Sequence, residues 1–283
     1  MRDATVQSVA VGFFDGVHVG HQAILRRAGR ALTFRNHPLS VLAPERAPRL
    51  IMSPEEKIAT MRACGVAEVE LVDFTPEFAA LSPEDFARRF FVGRDGGRCA
   101  VVCGENWRFG AGGRGNAEFL RERGFDVTVV PYAVCNGERV SSSRIRRSLG
   151  SGEIVEASEM LGRRIAALGR RFEGKGMGAA MGFPTVNLRL EASPASLLPF
   201  GVYEVAACGA KAVANYGLAP TMGAAAWTDP VLELHFVNDV PTCLSEVSMQ
   251  VEFVRFIRGE AKFASVDDLR RQIAADVSAV RFS

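Results

Sequence analysis

The chain has 283 residues, and at about 150 residues per domain that length suits two domains. Hydrophobic residues make up 48% and charged residues 23%, enough apolar material for ordinary packed cores. With 34 basic against 32 acidic residues the net charge is +2, which argues against nucleic acid as a partner.

The opening residues Met1 to Ser8 lack the apolar core of a signal peptide. No run approaches the roughly 18 apolar residues of a membrane span, so no membrane partner is expected. The six cysteines form no CxxC pair, and Cys99 and Cys103 flank or end the apolar run Ala100-Val101-Val102 as buried thiols would. These features predict a cytoplasmic protein with reduced cysteines.

Short apolar runs alternate with helical patterns through the first half. Val9-Ala10-Val11 predicts a strand, followed by a helix from about Gly20. Leu32-Thr33-Phe34 predicts the next strand. Ser53 with Glu56 forms a capping-box pattern around Pro54, which starts a helix. Val69 to Val72, a helix opened by Ser82-Pro83, then Ala100 to Val102 and Val127 to Val130 complete the series. Strand and helix in alternation predict an open parallel sheet with helices on its faces, a Rossmann-like α/β domain.

The pattern changes after about Arg164. Glycine becomes dense at Gly169, Gly174, Gly176, Gly178 and Gly182, and short strands with turn signals follow. Val247, Met249, Val251 and Phe253 alternate with polar residues, as a half-buried strand does. Ser265 is placed to cap a final helix whose apolar stripe is Leu269, Ile273, Val277 and Val280. This half predicts a small β-barrel with a C-terminal helix. The division expected is 1–164 and 165–283.

Phe14-Asp15-Gly16-Val17-His18-Val19-Gly20-His21 follows the first strand and opens a helix. Free N–H groups at such a turn favour a phosphate, and two imidazoles three apart add donors. A lone histidine is more often a core or capping group; the pair in this place favours phosphate chemistry. The serines of Ser141-Ser142-Ser143 are also placed to cap a helix over Ile145 to Leu149. Two glycine-rich stretches are set aside. Gly110 to Gly115 matches GxGxxG but does not follow its strand directly, and Gly169 to Gly176 lacks the hydroxyl of a P-loop.

With His18 and His21 the chain resembles the HxGH nucleotidyltransferases. Thr33-Phe34-Arg35-Asn36-His37-Pro38, Gly104-Glu105-Asn106-Trp107-Arg108-Phe109-Gly110 and Ser141-Ser142-Ser143-Arg144-Ile145-Arg146 are similar, in order, to segments of the bacterial bifunctional riboflavin kinase/FMN adenylyltransferase family. In the second half, Gly182-Phe183-Pro184-Thr185-Val186-Asn187 resembles its GFPTxN motif. Asn215-Tyr216-Gly217 with Pro220-Thr221, Leu232-Glu233-Leu234-His235 and Phe256 to Phe263 resemble further segments. The likeness spans nearly the whole chain.

The resemblance implies two activities. One is phosphorylation of riboflavin to FMN in the barrel; the other is adenylyl transfer from ATP to FMN in the first domain, giving FAD and pyrophosphate. It implies catalytic roles for His18, His21, Arg146 and Glu233, the last as general base. It implies nucleotide or phosphate contacts at Gly12, Asp15, Gly16, His37, Ser142 and Ser143, and flavin contacts at Asn106, Trp107 and Phe109. In the barrel it implies ligand contacts at Gly182, Pro184 and Arg258, and Mg²⁺ ligation by Thr185 and Asn187. ATP, riboflavin and FMN are then the partners. The chain departs from the family pattern at Phe13, where asparagine is usual, and at Asn106-Trp107, where Asp-Phe is usual. It also has Ala179 and Ala219 where arginines are common, and Asp239 to Leu244 does not show the LYG segment. Two other readings are a monofunctional nucleotidyltransferase with a non-catalytic barrel, and a flavin-binding regulator.

Overall fold

A computed structural model describes residues 8–93, 96–173, 182–190, 194–218, 230–238, 241 and 247–280. The chain divides into two compact units, Met1–Ser142 and Ser143–Ser283.

The first unit runs β1 (Ser8–Val11), α1 (Val19–Leu25), β2 (Arg30–Phe34), α2 (Leu39–Leu42), α3 (Pro54–Ala63), β3 (Glu68–Val72), α4 (Pro76–Ala79), α5 (Pro83–Phe91), β4 (Ala100–Gly104), α6 (Ala117–Glu122) and β5 (Val127–Val130). All five strands are parallel, in the order β3-β2-β1-β4-β5. A small hairpin, β6 (Val134–Cys135) with β7 (Glu138–Arg139), follows.

Period-two alternation explains why the strands are apolar throughout. Val9, Val11, Leu32, Phe34, Val101 and Cys103 join one core, with Phe78, Phe86, Phe90 and Phe91. Ala10, Ala31 and Val102, one residue out of phase, join the other core, with Leu25, Met61 and Val66. Both faces are covered, as a parallel sheet requires. The capping box is present: Ser53 Oγ accepts from the Glu56 N–H and the Glu56 carboxylate accepts from the Ser53 N–H. Burial pushes the Cys103 thiol up to about 11, which keeps it inert.

The chain leaves β1 on one side to build β2 and β3, then returns to build β4 and β5 on the other. The C-terminal end of β1 is therefore a topological switch point, where open parallel sheets bind ligands.

Helix α7 (Ser142–Gly150) spans the boundary between the units, and α8 (Ile154–Leu161) follows. The helix starts at Ser142, so Ser142 and Ser143 lie inside its first turn, not outside it as caps. Six antiparallel strands close a barrel in the order β10-β11-β12-β9-β8-β13. They are β8 (Ile165–Phe172), β9 (Val186–Leu190), β10 (Gly201–Ala207), β11 (Ala210–Leu218), β12 (Pro230–Phe236) and β13 (Ser248–Gly259). The last helix, α9 (Val266–Ala279), is capped by Ser265, whose hydroxyl accepts from the Asp268 N–H.

The open-sheet-plus-barrel expectation therefore holds, with two local corrections. Val247 lies outside the strand that it was expected to begin, and is exposed. On α9, Leu269, Ile273 and Val277 are only half-buried, and the fully buried helix residue is Asp276. The hydrophobic period missed it because an ion pair, not an apolar contact, holds that position inside.

Cys64, Cys99, Cys103 and Cys135 are free thiols. Cys208 is disulfide-bonded, against the expectation of reduced cysteines throughout. No helix among the described residues is long and apolar enough to cross a membrane.

Candidate functional sites

The switch point of the first unit is built by the turn from Gly12 to His18. Phe14 and Val17 sit there at φ +54° and +39°, a costly region for a bulky and a β-branched side chain. Gly16, at φ +79°, occupies that region without the penalty. Gly12 donates to the Leu32 carbonyl, tying the turn to β2. The Asp15 carboxylate is buried and accepts from the Ile51 N–H through both oxygens, at 3.1 Å each. The Asp15 carbonyl accepts from the Ser142 hydroxyl at 2.9 Å.

His18 is the N-cap of α1, its Nδ1 accepting from the His21 N–H at 3.2 Å. That bond places the proton of the neutral ring on Nε2. The His18 and His21 rings stack, with centroids 3.5 Å apart and planes 18° apart. The intervening glycine explains how they fit. A Cβ at Gly20 would lie 3.2 Å from His18 Cε1 and 3.5 Å from the Ala133 Cβ. His21 Nδ1 is buried with no hydrogen-bond partner among the described residues. Burial, His18 and Lys57 together hold the His21 imidazole well below the usual histidine range. It is neutral near pH 7, a form that can donate through one nitrogen and accept through the other.

His37 lies beyond the end of β2. Its Nδ1 accepts from the Leu39 N–H at 3.0 Å, and its ring meets Phe13 edge-on at 4.7 Å. Thr33 Oγ1 donates to the Phe13 carbonyl at 2.9 Å. Lys57, on α3, reaches the same place. Its Nζ donates to the carbonyls of Phe34 at 2.6 Å and Phe13 at 3.1 Å, and lies 4.2 Å from the Phe13 ring centroid. Sequence reasoning missed Lys57. A lysine in a short helix that also carries Glu55, Glu56 and Arg62 reads as solvated surface, and only the fold shows it buried.

Beyond β4, Asn106 is exposed, Trp107 half-buried and Phe109 buried at 5% exposure. Trp107 and Phe109 stack at 4.6 Å and 17°, so Phe109 backs the indole from the core side. Gly110 to Gly115 forms a tight turn closed by a Phe109–Gly115 bridge.

In the second unit, Arg146 is half-buried on α7 and Ser143 is exposed. Arg144 and Ser148 of the same helix both bond the Glu156 carboxylate, and together they hold it below its usual range. On the barrel, Glu233 of β12 stands directly opposite Asn187 of β9 and Asn215 of β11. Directly paired residues point to one side of a sheet, so the three side chains form a row. Burial raises the Glu233 carboxyl above its ordinary range, making it a better proton acceptor once ionised. Thr185 stands one residue before β9. Just before it, the Pro184 carbonyl is 3.0 Å from His235 Nδ1, and Phe183 meets the His235 ring edge-on at 5.3 Å. Gly182 holds φ +87°. Arg258, at the end of β13, is bound to the buried Asp276 of α9 at 2.6, 3.0 and 3.2 Å. Ala179, Ala219, Pro220, Thr221, Trp227 and most of Asp239 to Leu244 lie outside the described residues.

Residues 1–144 match the FAD synthetase family and residues 161–283 match the riboflavin kinase family. A bifunctional riboflavin kinase/FMN adenylyltransferase of Escherichia coli K12 is 36% identical over 95% of this chain and 90% of its own length. A protein of the same description from Bacillus subtilis is 29% identical, covering 98% and 92%. One from Pseudomonas fluorescens is 32% identical, covering 96% and 91%. A solved structure described as a macrolide-efflux protein from Streptococcus pneumoniae superposes with a TM-score of 0.79 at 26% identity, covering 99% of this chain and 96% of that one.

Proposed function

The chain belongs to the bifunctional riboflavin kinase/FMN adenylyltransferase family, and we propose how its residues divide the two chemistries. The enzyme phosphorylates riboflavin to FMN and adenylylates FMN to FAD, with ATP as the second substrate of each step. A monofunctional enzyme with an idle barrel is not favoured, because the second half matches the riboflavin kinase family in its own right.

We assign adenylyl transfer to residues 1–164 and riboflavin phosphorylation to residues 165–283. In the first reaction an FMN phosphate oxygen attacks the α-phosphorus of ATP in line, and pyrophosphate leaves. No protein nucleophile is needed, so catalysis is positioning and charge stabilisation. The observation that carries this assignment is the stacked imidazole pair at the switch point, with His21 Nδ1 buried and unpaired. His18 and His21 donate to the phosphates. The N–H groups around Gly12, Asp15 and Gly16 line the same turn, and His37 stands beside it. Ser142, Ser143 and Arg146 supply hydroxyls and charge for the departing pyrophosphate. Asn106 and Trp107, with Phe109 behind the indole, receive the isoalloxazine.

In the barrel, Glu233 takes the proton of the riboflavin 5′-hydroxyl as that oxygen attacks the γ-phosphorus of ATP. Such a base contributes typically 10²–10⁴ in rate. Thr185 and Asn187 offer a hydroxyl and an amide carbonyl, hard oxygen donors that suit Mg²⁺ shared with phosphates. Bound there, the ion would neutralise phosphate charge and polarise a phosphoryl oxygen. Gly182 and Pro184 shape the segment that carries Thr185, and Arg258 braces the end of β13 through Asp276. A cytoplasmic location belongs to this reading, as do small-molecule partners without nucleic acid or membrane. The disulfide at Cys208 stands against the reducing compartment. Thiol counting on protein prepared without reductant tests that point.

The direct test of the two-site assignment is product analysis. Incubated with riboflavin, ATP and Mg²⁺, the protein should give FMN and then FAD on chromatographic separation. EDTA should stop both. FAD from supplied FMN but no FMN from riboflavin would remove the kinase assignment.

A further inference from the structure

Lys57 is only 3% exposed, although ammonium groups are among the costliest to take from water. The fold sets that cost against one specific geometry. Its Nζ bridges the carbonyl of Phe34, the last residue of β2, and the carbonyl of Phe13, just past β1. These two strand ends stand side by side at the switch point. The Phe13 carbonyl also accepts from Thr33, so it is held from both sides. Phe13 leads directly into the turn whose Phe14 and Val17 backbones are strained, and such strain persists only where surrounding contacts impose it.

We propose that Lys57 is a positioning residue for adenylyl transfer: its ammonium group clamps the ends of β1 and β2 and so holds the turn from Phe13 to His18 in the geometry that receives the triphosphate. This rests on the reading of that turn as the ATP phosphate site. Lys57 touches no reacting atom; it acts through the two carbonyls. An apolar side chain at 57 would remove the donor that the two carbonyls share, leave the Phe13 carbonyl to Thr33 alone, and let the strained turn relax. Loose binding tolerates such a shift better than an in-line transition state does, so the loss falls on kcat more than on KM.

The clamp also carries a pH signature. Burial lowers the Lys57 ammonium to about 8, against the opposing pull of Asp15. The other titratable groups facing this region are His21 and His18 from α1 and His37 beyond β2, and on its own helix Glu56, which is bound to the Ser53 N–H. His21 is already neutral well below this range. As Lys57 loses its proton, one donor and the attraction to Asp15 go with it, and the turn loosens.

The test uses the full-length enzyme with ATP, Mg²⁺ and FMN. Wild-type kcat for FAD formation should fall as pH rises through about 8. Lys57→Met should lower kcat at pH 7.5 by at least about 10-fold, with KM for ATP changed less than about 3-fold and riboflavin phosphorylation unaltered. The fall through pH 8 should disappear in this variant. Should Lys57→Met not fold, Lys57→Arg carries a charge that does not titrate and should likewise lack the fall. A wild-type rate flat across pH 7 to about 9.5, a folded Lys57→Met with wild-type kcat, or a fall that persists in either variant overturns the proposal. Loss of FAD formation in His21→Ala but not in Lys57→Met rejects the clamp alone; no loss in either rejects the phosphate site itself.

Discussion

The imidazoles of His18 and His21 lie face to face at 3.5 Å, and the backbone N–H of one residue is bound by the ring nitrogen of the other. Two stacked rings this close do not both carry a positive charge at neutral pH, and His21, whose Nδ1 is buried, stays neutral. The pair therefore offers neutral hydrogen bonds to phosphate, with its polarity fixed by the helix cap.

His21→Ala should reduce FAD formation from FMN by at least about 10²-fold, on the order of 3 kcal/mol of transition-state stabilisation. Riboflavin phosphorylation should hardly change. Both rates are read from one chromatographic assay, and equal loss of both would mean that His21 serves folding.

Acid sensitivity gives a second check on the same residue. The folded-state pKa of His21 lies below its unfolded value, so in acid the unfolded chain binds the proton first. Wild type should lose stability relative to His21→Phe as pH falls below about 6.5. FAD formation should keep its rate down to a pH well under that value, until His21 itself titrates. An acid limb centred at about 6.5 would show an ordinary, hydrated histidine.

Much of this was legible in the chain before folding. The capping box at Ser53 and Glu56, the strand runs and the His18-Val19-Gly20-His21 pattern depend on local chemistry, and local chemistry is written in neighbouring residues. Lys57 and Asp276 were not legible, because their burial depends on partners far along the chain: Phe13 and Phe34 for one, Arg258 for the other. Each is a charge on its helix's inward face, four residues from the buried Met61 in one case and four from Val280 in the other, and a charged residue type there reads as solvated. The row of Asn187, Glu233 and Asn215 is intermediate. The motifs single out the residues, and only strand register aligns them.

Lys57 has a stability consequence opposite in sign to its effect on rate. Its folded pKa of about 8 lies below the usual value of 10.5, so above pH 8 the unfolded chain binds more protons than the native one. Wild type should gain stability relative to Lys57→Met as pH rises from 8 to about 10, while its rate of FAD formation falls. Thermal midpoints of the two proteins across this range measure it. A constant difference would show a lysine that titrates normally.

Trp107→Leu should weaken FMN binding at the adenylyltransferase site by about 5-fold or more, from loss of a stacking face worth roughly 1 kcal/mol. Phe109→Leu should act mainly on stability, since its ring is buried behind the indole. Isothermal titration with FMN and thermal melts of both variants separate the two effects. Unchanged FMN affinity in Trp107→Leu would reduce the indole to a core residue.

Glu233→Gln keeps the size of the side chain and its place in the row with Asn187 and Asn215, but removes the proton acceptor. FMN formation from riboflavin should fall by about 10²-fold or more, within the range for a general base. FMN-to-FAD conversion should be untouched. KM for ATP should stay near wild type, because the amide still fills the strand position and Thr185 and Asn187 are unaltered. Ala179→Arg should do the reverse, lowering KM for ATP with little change in kcat, if the missing positive charge limits nucleotide binding. Steady-state kinase assays on both variants give these constants directly. A Glu233→Gln enzyme that phosphorylates riboflavin at the wild-type rate would move the base elsewhere in the barrel and leave Glu233 as a half-buried carboxyl with a structural task.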